Sequence, residues 1–193
     1  YCNSTLLRSQ DTLTDSGQKS ALIEDYSPLQ LFSSGSFAGQ HFTLIGRCQI
    51  SYDRGSWNEW YAMLDNGEYA CLAEFSGLYV FSYADTGSDD SDFKPFEQYR
   101  IGDWVEYKGN RYVASDIRQA TIQKANAQGE IPGLPDKDQQ IFVIDLRQQQ
   151  RFMTLDFSVD KTRPAVYTGS AVELAELSMQ NLRDSQLTLQ RAG

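Results

Sequence analysis

The sequence predicts a mainly β fold: two small, strongly bent antiparallel sheets or barrels, related by an internal repeat and followed by one C-terminal helix. Three observations lead there. Long stretches alternate apolar and polar residues with period two, the signature of a half-buried strand. Tight-turn signals, Asn66-Gly67 foremost, separate those stretches at hairpin spacing. The segments "FAGQHF" at 37–42 and "YKGNRY" at 107–112 share the form aromatic-x-Gly-x-x-aromatic, each entering a long strand, with Leu31 and Ile101 at the same offset before them.

Residues 1–25 are polar, with a short helix expected from Gln18 to Asp25 that stops before Ser27-Pro28, because proline disfavours a helical predecessor. In "HFTLIGRCQISY" Phe42, Leu44, Cys48, Ile50 and Tyr52 alternate with polar residues; "WNEWYAMLD", "EYACLAEF" and "SGLYVFSY" follow, and the four form a meander over a first unit, 26–84. The run "DTGSDDSD" is acidic and free of hydrophobes, and marks a linker loop over 85–98. A second unit, 99–170, takes in "DWVEY", "RYVASDIRQATIQ", "QIFVIDLR", "RFMTLDFS" and "PAVYTG", interrupted by the proline-punctuated loop "IPGLPDKDQQ". The last stretch, 171–193, reads as helix and tail. "SAVE" at 170–173 has capping-box spacing, Leu174, Leu177 and Asn181 share a face, and the terminal charges of Glu173, Glu176 and Arg183 suit the helix dipole.

Of the 193 residues, 40 % are hydrophobic and 12 % aromatic, enough for a packed core. A net charge of −9 argues against nucleic acid or an anionic membrane as partner, since phosphate binding needs clustered lysine and arginine. No apolar run is long enough to span a bilayer, so direct membrane insertion is not expected and a cytoplasmic location is. The three cysteines, Cys2, Cys48 and Cys71, do not make a disulfide framework.

No catalytic constellation stands out. His41, the sole histidine, falls on the polar phase at a hairpin exit. Cys48 and Cys71 sit on apolar phases as small core residues. The richest stretch is "SWNEWYAMLDNGEYACL": period two puts Trp57, Glu59, Tyr61, Met63 and Asp65 on one face, and Asn58, Trp60, Ala62 and Leu64 on a core-like other face. A carboxylate between large aromatics is costly unless solvated or paired. Two roles are open to Glu59: a ligand hook or general base in an aromatic groove, or a structural anchor that pairs with Arg47, Arg54 or Arg118 across the sheet or bonds to backbone amides at a turn. Glu130, in "GEIPG", is expected to end a strand and tie down the loop after it.

These motifs carry a resemblance. Gly39, Phe42, Gly46-Arg47, Trp57, Glu59-Trp60, Asn66-Gly67, Leu72, Gly77 and Tyr79, then Gly129 to Pro132, Asp145-Leu146, Leu155 to Ser158, "VYTG" and "ELSMQNLR", are similar to the pattern of the bacterial family known as domain of unknown function 4178. Cys71 stands where that pattern often has tryptophan. The resemblance implies a zinc ribbon before this segment, with "YCNSTLLR" as its end and Cys2 as one zinc ligand whose three companions lie upstream. It therefore implies no cofactor within this chain and zinc in that ribbon. It also implies a link to envelope stress, and it names no activity. The leading expectation is a non-enzymatic interaction or scaffold domain of a larger bacterial protein, meeting a protein or peptide partner. The competing one is a sensor or enzyme for a small cationic ligand, with Trp57, Glu59, Tyr61, Asp65 and Glu130 around an aromatic pocket.

Overall fold

The computed structural model describes residues 25–87 and 92–184. The alternating stretches form the strands: β1 (Ser34–Phe37), β2 (Gln40–Tyr52), β3 (Gly55–Leu64), β4 (Tyr69–Phe75) and β5 (Leu78–Ala84), then β6 (Trp104–Tyr107), β7 (Asn110–Gly129), β8 (Gln139–Gln148), β9 (Arg151–Asp156) and β10 (Ala165–Val172). Each set of five is an antiparallel meander. The two do not remain separate sheets, as the sequence suggests. β2 pairs with β7 and β5 with β10, so all ten strands belong to one sheet, eight of which close into an antiparallel barrel.

The two meanders share their frame in detail. Their opening hairpins turn through Ala38-Gly39 (φ 49° and 77°) and Lys108-Gly109 (φ 47° and 76°), the positive-φ pair that matches strand twist in a two-residue hairpin. An extra residue follows Leu44 in β2 and Ala114 in β7, where the register shifts. The same hydrogen bonds recur around it. Leu44 N–H donates to Ser33 O and Phe32 N–H to Leu44 O; in the second meander Ala114 N–H donates to Asp103 O and Gly102 N–H to Ala114 O.

Closure gives the inner strands two buried faces, and the core divides accordingly. Inside the barrel lie Ile45, Cys48, Ile50, Trp57, Tyr61, Cys71, Ala120, Ile122, Ile141 and Tyr167. On the outer face of the first meander, Phe42, Leu44, Trp60, Leu72 and Phe81 are covered by Leu29, Leu177 and Phe37, whose ring stacks on Phe81 at 4.5 Å. On the outer face of the second, Tyr112, Ile144, Met153 and Leu155 are covered by Phe96, Tyr99 and Phe157. The stretch 85–98 is thus more than a linker: its 3-10 turn Phe96–Gln98 inserts Phe96 into this layer.

The C-terminal helix is not present. β10 runs to Val172 between β5 and β9, so ladder hydrogen bonds claim the residues meant to begin the helix. The capping box forms three residues later than expected, between Glu173 and Glu176, on a 3-10 turn of only Leu174–Leu177 that ends at left-handed Ser178. Of the expected N-terminal helix only Asp25 is described, and it is not helical; Cys2 lies outside the described residues.

Both seams are close backbone approaches. A Cβ on Gly46 would overlap the Glu130 carbonyl oxygen, and one on Gly169 would overlap that of Phe81. Gly46→Ala is therefore expected to open the β2–β7 seam and cost about 1–3 kcal/mol, read as a fall in the urea midpoint. Trp60, 1 % exposed, fills the first outer layer; Trp60→Ala should cost about 3–5 kcal/mol in the same measurement.

Candidate functional site

The W-N-E-W stretch on β3 is divided between the two buried faces. Outward, Trp60 Nε1 donates to Glu74 Oε2 at 3.0 Å, and Asn58 joins Arg47, Asp25 and Glu74. Glu74 also accepts from Ser27 and Tyr79, and Asp25 pairs with Arg47 and Arg183, so this network ties both flanking segments to the barrel. Inward, Trp57 Nε1 donates to Glu59 Oε1 at 3.0 Å, and both side chains face a cavity of about 100 Å³ in the barrel lumen.

That cavity draws on β3, β4, β5, β7, β8, β9 and β10. Apolar walls come from Val80, Val143 and Phe152, and its mouth is marked by the exposed Leu78 and Phe75 beside Arg147. Four buried carboxylates line it: Glu59, Asp145 and Asp156, each 8 % exposed, and Glu74, whose oxygens are already held by the outer network. Arg118 stands among them, its guanidinium 2.6 Å from both Asp116 and Asp145 and stacked over Trp57 at 4.9 Å. Thr154 donates a further bond to Asp145 at 2.8 Å.

Burial dominates the electrostatics. It pushes the Asp145 carboxyl above the usual range despite Arg118 and Thr154, with Asp116 and Glu59 adding as like charges. Asp156 is also pushed up, by burial and by Glu59, against the two donors of Ser158. Burial works against the Arg118 charge, but Asp145 and Asp116 outweigh it and hold its pKa above the ordinary value. Burial and then Glu59 push the Cys48 thiol up to about 12, so it is a neutral wall and not a nucleophile.

Of the residues singled out from sequence, Trp57 and Glu59 line this cavity, and Tyr61 shares the lumen core with Trp57 but lines a second cavity. Asp65 is exposed at the β3–β4 turn, and Glu130 is exposed beyond the end of β7, so neither side chain reaches the lumen. Of the three arginines weighed for Glu59, Arg118 faces its cavity, Arg47 lies on the outer face and Arg54 is exposed beside Asp53. Asp145 and Asp156 were missed as site residues. The signal was the carboxylate in "VIDLR" and "TLDFS", one charge inside an apolar run. Among the described residues no group of three or more His, Cys, Asp or Glu side chains has metal-binding placement.

A carboxyl whose folded pKa is raised holds its proton more tightly in the native state. Its charge therefore costs stability above that pKa, and the cost vanishes as pH falls through it. Asp156→Asn, which keeps an acceptor for Ser158, should raise the melting temperature at neutral pH, with the gain disappearing in acid. Arg118→Gln should instead cost about 3 kcal/mol at neutral pH, a loss that shrinks on acidification as Asp145 takes up a proton. Thermal melts across pH check both.

No curated protein and no solved structure matches the chain. Residues 33–174 match the family described as Domain of unknown function (DUF4178), a span that includes all ten strands and the lumen they enclose. The chain belongs to that family.

Proposed function

We propose that the barrel lumen binds a small organic cation and that the chain works as a binding or sensing domain. The observation that carries this reading is the charge imbalance of the cavity. Glu59, Asp145 and Asp156 are buried against it beside Glu74, which the outer network already holds, while Arg118 is engaged by Asp145 and Asp116 and Arg147 is exposed at the mouth. Buried carboxylates are stabilised by a counter-charge, and an ammonium held beside an aromatic ring and carboxylates supplies one. Eight strands also make a barrel of the size that takes one small ligand.

Calorimetric titration with n-butylammonium, with n-butanol as the neutral control, tests it. Saturable binding of the amine alone is expected. Glu59→Gln keeps an acceptor for Trp57, and should weaken that binding at least tenfold while leaving stability within about 1 kcal/mol. A scaffold that meets a protein partner makes no demand on the lumen, so a chain that binds no amine supports that role instead. A large loss of stability in Glu59→Gln would make Glu59 the structural anchor.

A further inference from the structure

A second cavity, of about 90 Å³, lies behind the first, beneath the loop between β7 and β8. Asp156 and Tyr167 line both, so the two chambers meet at this pair. Each is smaller than the ~150 Å³ cavity that takes up benzene, so each accommodates only part of a ligand.

The chambers differ in charge. The first is lined by four carboxylates, Glu59, Glu74, Asp145 and Asp156, with Arg118 inside and Arg147 at the mouth. The second has walls of Cys48, Ile122, Leu134, Pro135 and Ala165, with the neutral polar groups of Tyr61, Gln139 and Ser158 among them, and its one carboxylate is the shared Asp156. Cys48, with its pKa pushed up to about 12, is neutral there. The junction carboxylate is also oriented. Both Ser158 donors, N–H at 2.8 Å and the hydroxyl, go to Asp156 Oδ1, which leaves Oδ2 to meet a ligand's ammonium.

We infer that the ligand is an elongated monoamine: its ammonium sits on the first-chamber side of Asp156, and its hydrocarbon end passes Tyr167 into the second chamber. This rests on the cation-binding reading of the lumen and narrows it. A hydrocarbon entering the second chamber leaves water for the Ile122, Leu134, Pro135 and Ala165 side of its wall, a gain that grows with each methylene. A second ammonium there would lose its hydration and find no carboxylate beyond the one already used. The same asymmetry excludes a diamine of equal length.

The test is a calorimetric series of straight-chain monoamines from propyl to heptyl, beside alkyl diamines of matching length, on the wild-type chain and on Ala165→Phe. Ala165 is exposed at the start of β10, so the larger ring plugs the second chamber from its rim. Affinity for monoamines is expected to climb about fourfold per methylene until the second chamber fills. Each longer diamine should bind at least tenfold more weakly than its monoamine. In Ala165→Phe the dependence of affinity on chain length should be lost, with the long monoamines falling to the affinity of propylamine. Affinity independent of chain length, or diamines that bind as well as monoamines, would overturn the inference and leave the cation-binding reading standing. If no amine binds at any length, that reading fails and this one with it. Should Ala165→Phe melt below the wild type, the monoamine–diamine comparison on the wild-type chain decides alone.

Discussion

The structure depends on two backbone approaches that close a sheet onto itself. At one seam Gly46 of β2 lies opposite Gly129 of β7; at the other Gly169 of β10 lies opposite Ser82 of β5. A side chain at Gly46 or Gly169 would overlap the neighbouring carbonyl oxygen, so the absence of a Cβ lets the strands come within ladder distance. Without the seams each meander would leave its inner face to water. With them, the inner face becomes a lumen, and edges that would otherwise be open templates for pairing are used up within the molecule.

Closure also sets the electrostatic problem that defines the site. Once the inner phase of β3, β8 and β9 is enclosed, Glu59, Asp145 and Asp156 cannot be solvated as they would be on an open sheet. Arg118 answers part of this, spanning Asp116 and Asp145 while lying over Trp57. The outer face of the first meander handles its own charges differently. Glu74 is held by the Trp60, Asn58, Ser27 and Tyr79 donors, and Arg47 by Asp25 and Asn58. The outer network sets each carboxylate among several donors; the inner one gathers Glu59, Asp145 and Asp156 around Arg118, with burial holding Asp145 and Asp156 above the usual range.

What was legible in the sequence follows the range of the interactions. Strand alternation and two-residue turns are local, and they mark both meanders and the matching hairpins at Gly39 and Gly109. The seams are not local. Nothing near Gly46 says that Gly129 will face it, so two units are readable where one closed sheet forms. The C-terminal segment misleads for the same reason: its helical spacing is real, but β5 and β9 offer Ala165–Val172 a ladder that a lone helix cannot match. Glu130 misleads in another way. Its position matters through its backbone, whose N–H bonds to Ile45 O beside Gly46, while its carboxylate is exposed. Glu59 was legible because a charge between tryptophans on an alternating strand is locally anomalous. Its partners in the lumen come from strands far along the chain and required the closed barrel to be seen.

The matching meanders make the molecule its own control for what the frame requires. Tyr61 lies opposite Gly46 two residues after the shift in β2, and Asp145 opposite Asp116 two residues after the shift in β7, so Tyr61 and Asp145 hold equivalent places. Across the next strand Tyr61 pairs with Cys71, and Asp145 with Thr154. One step along the same face, Glu59 pairs with Ala73 where Val143 pairs with Asp156. Each lumen carboxylate therefore has a neutral counterpart at the same place in the other meander: Glu59 has Val143, Asp156 has Ala73, and Asp145 has Tyr61. Strand pairing and bulge are common to both members of each pair, and Val143 and Tyr61 are buried as their counterparts are, while Ala73 is half-buried, so the frame itself does not call for a charge. The carboxylates raise the cost of a buried lumen where the frame accepts neutral side chains, and residues costly to the fold without serving it are where a ligand site is to be sought.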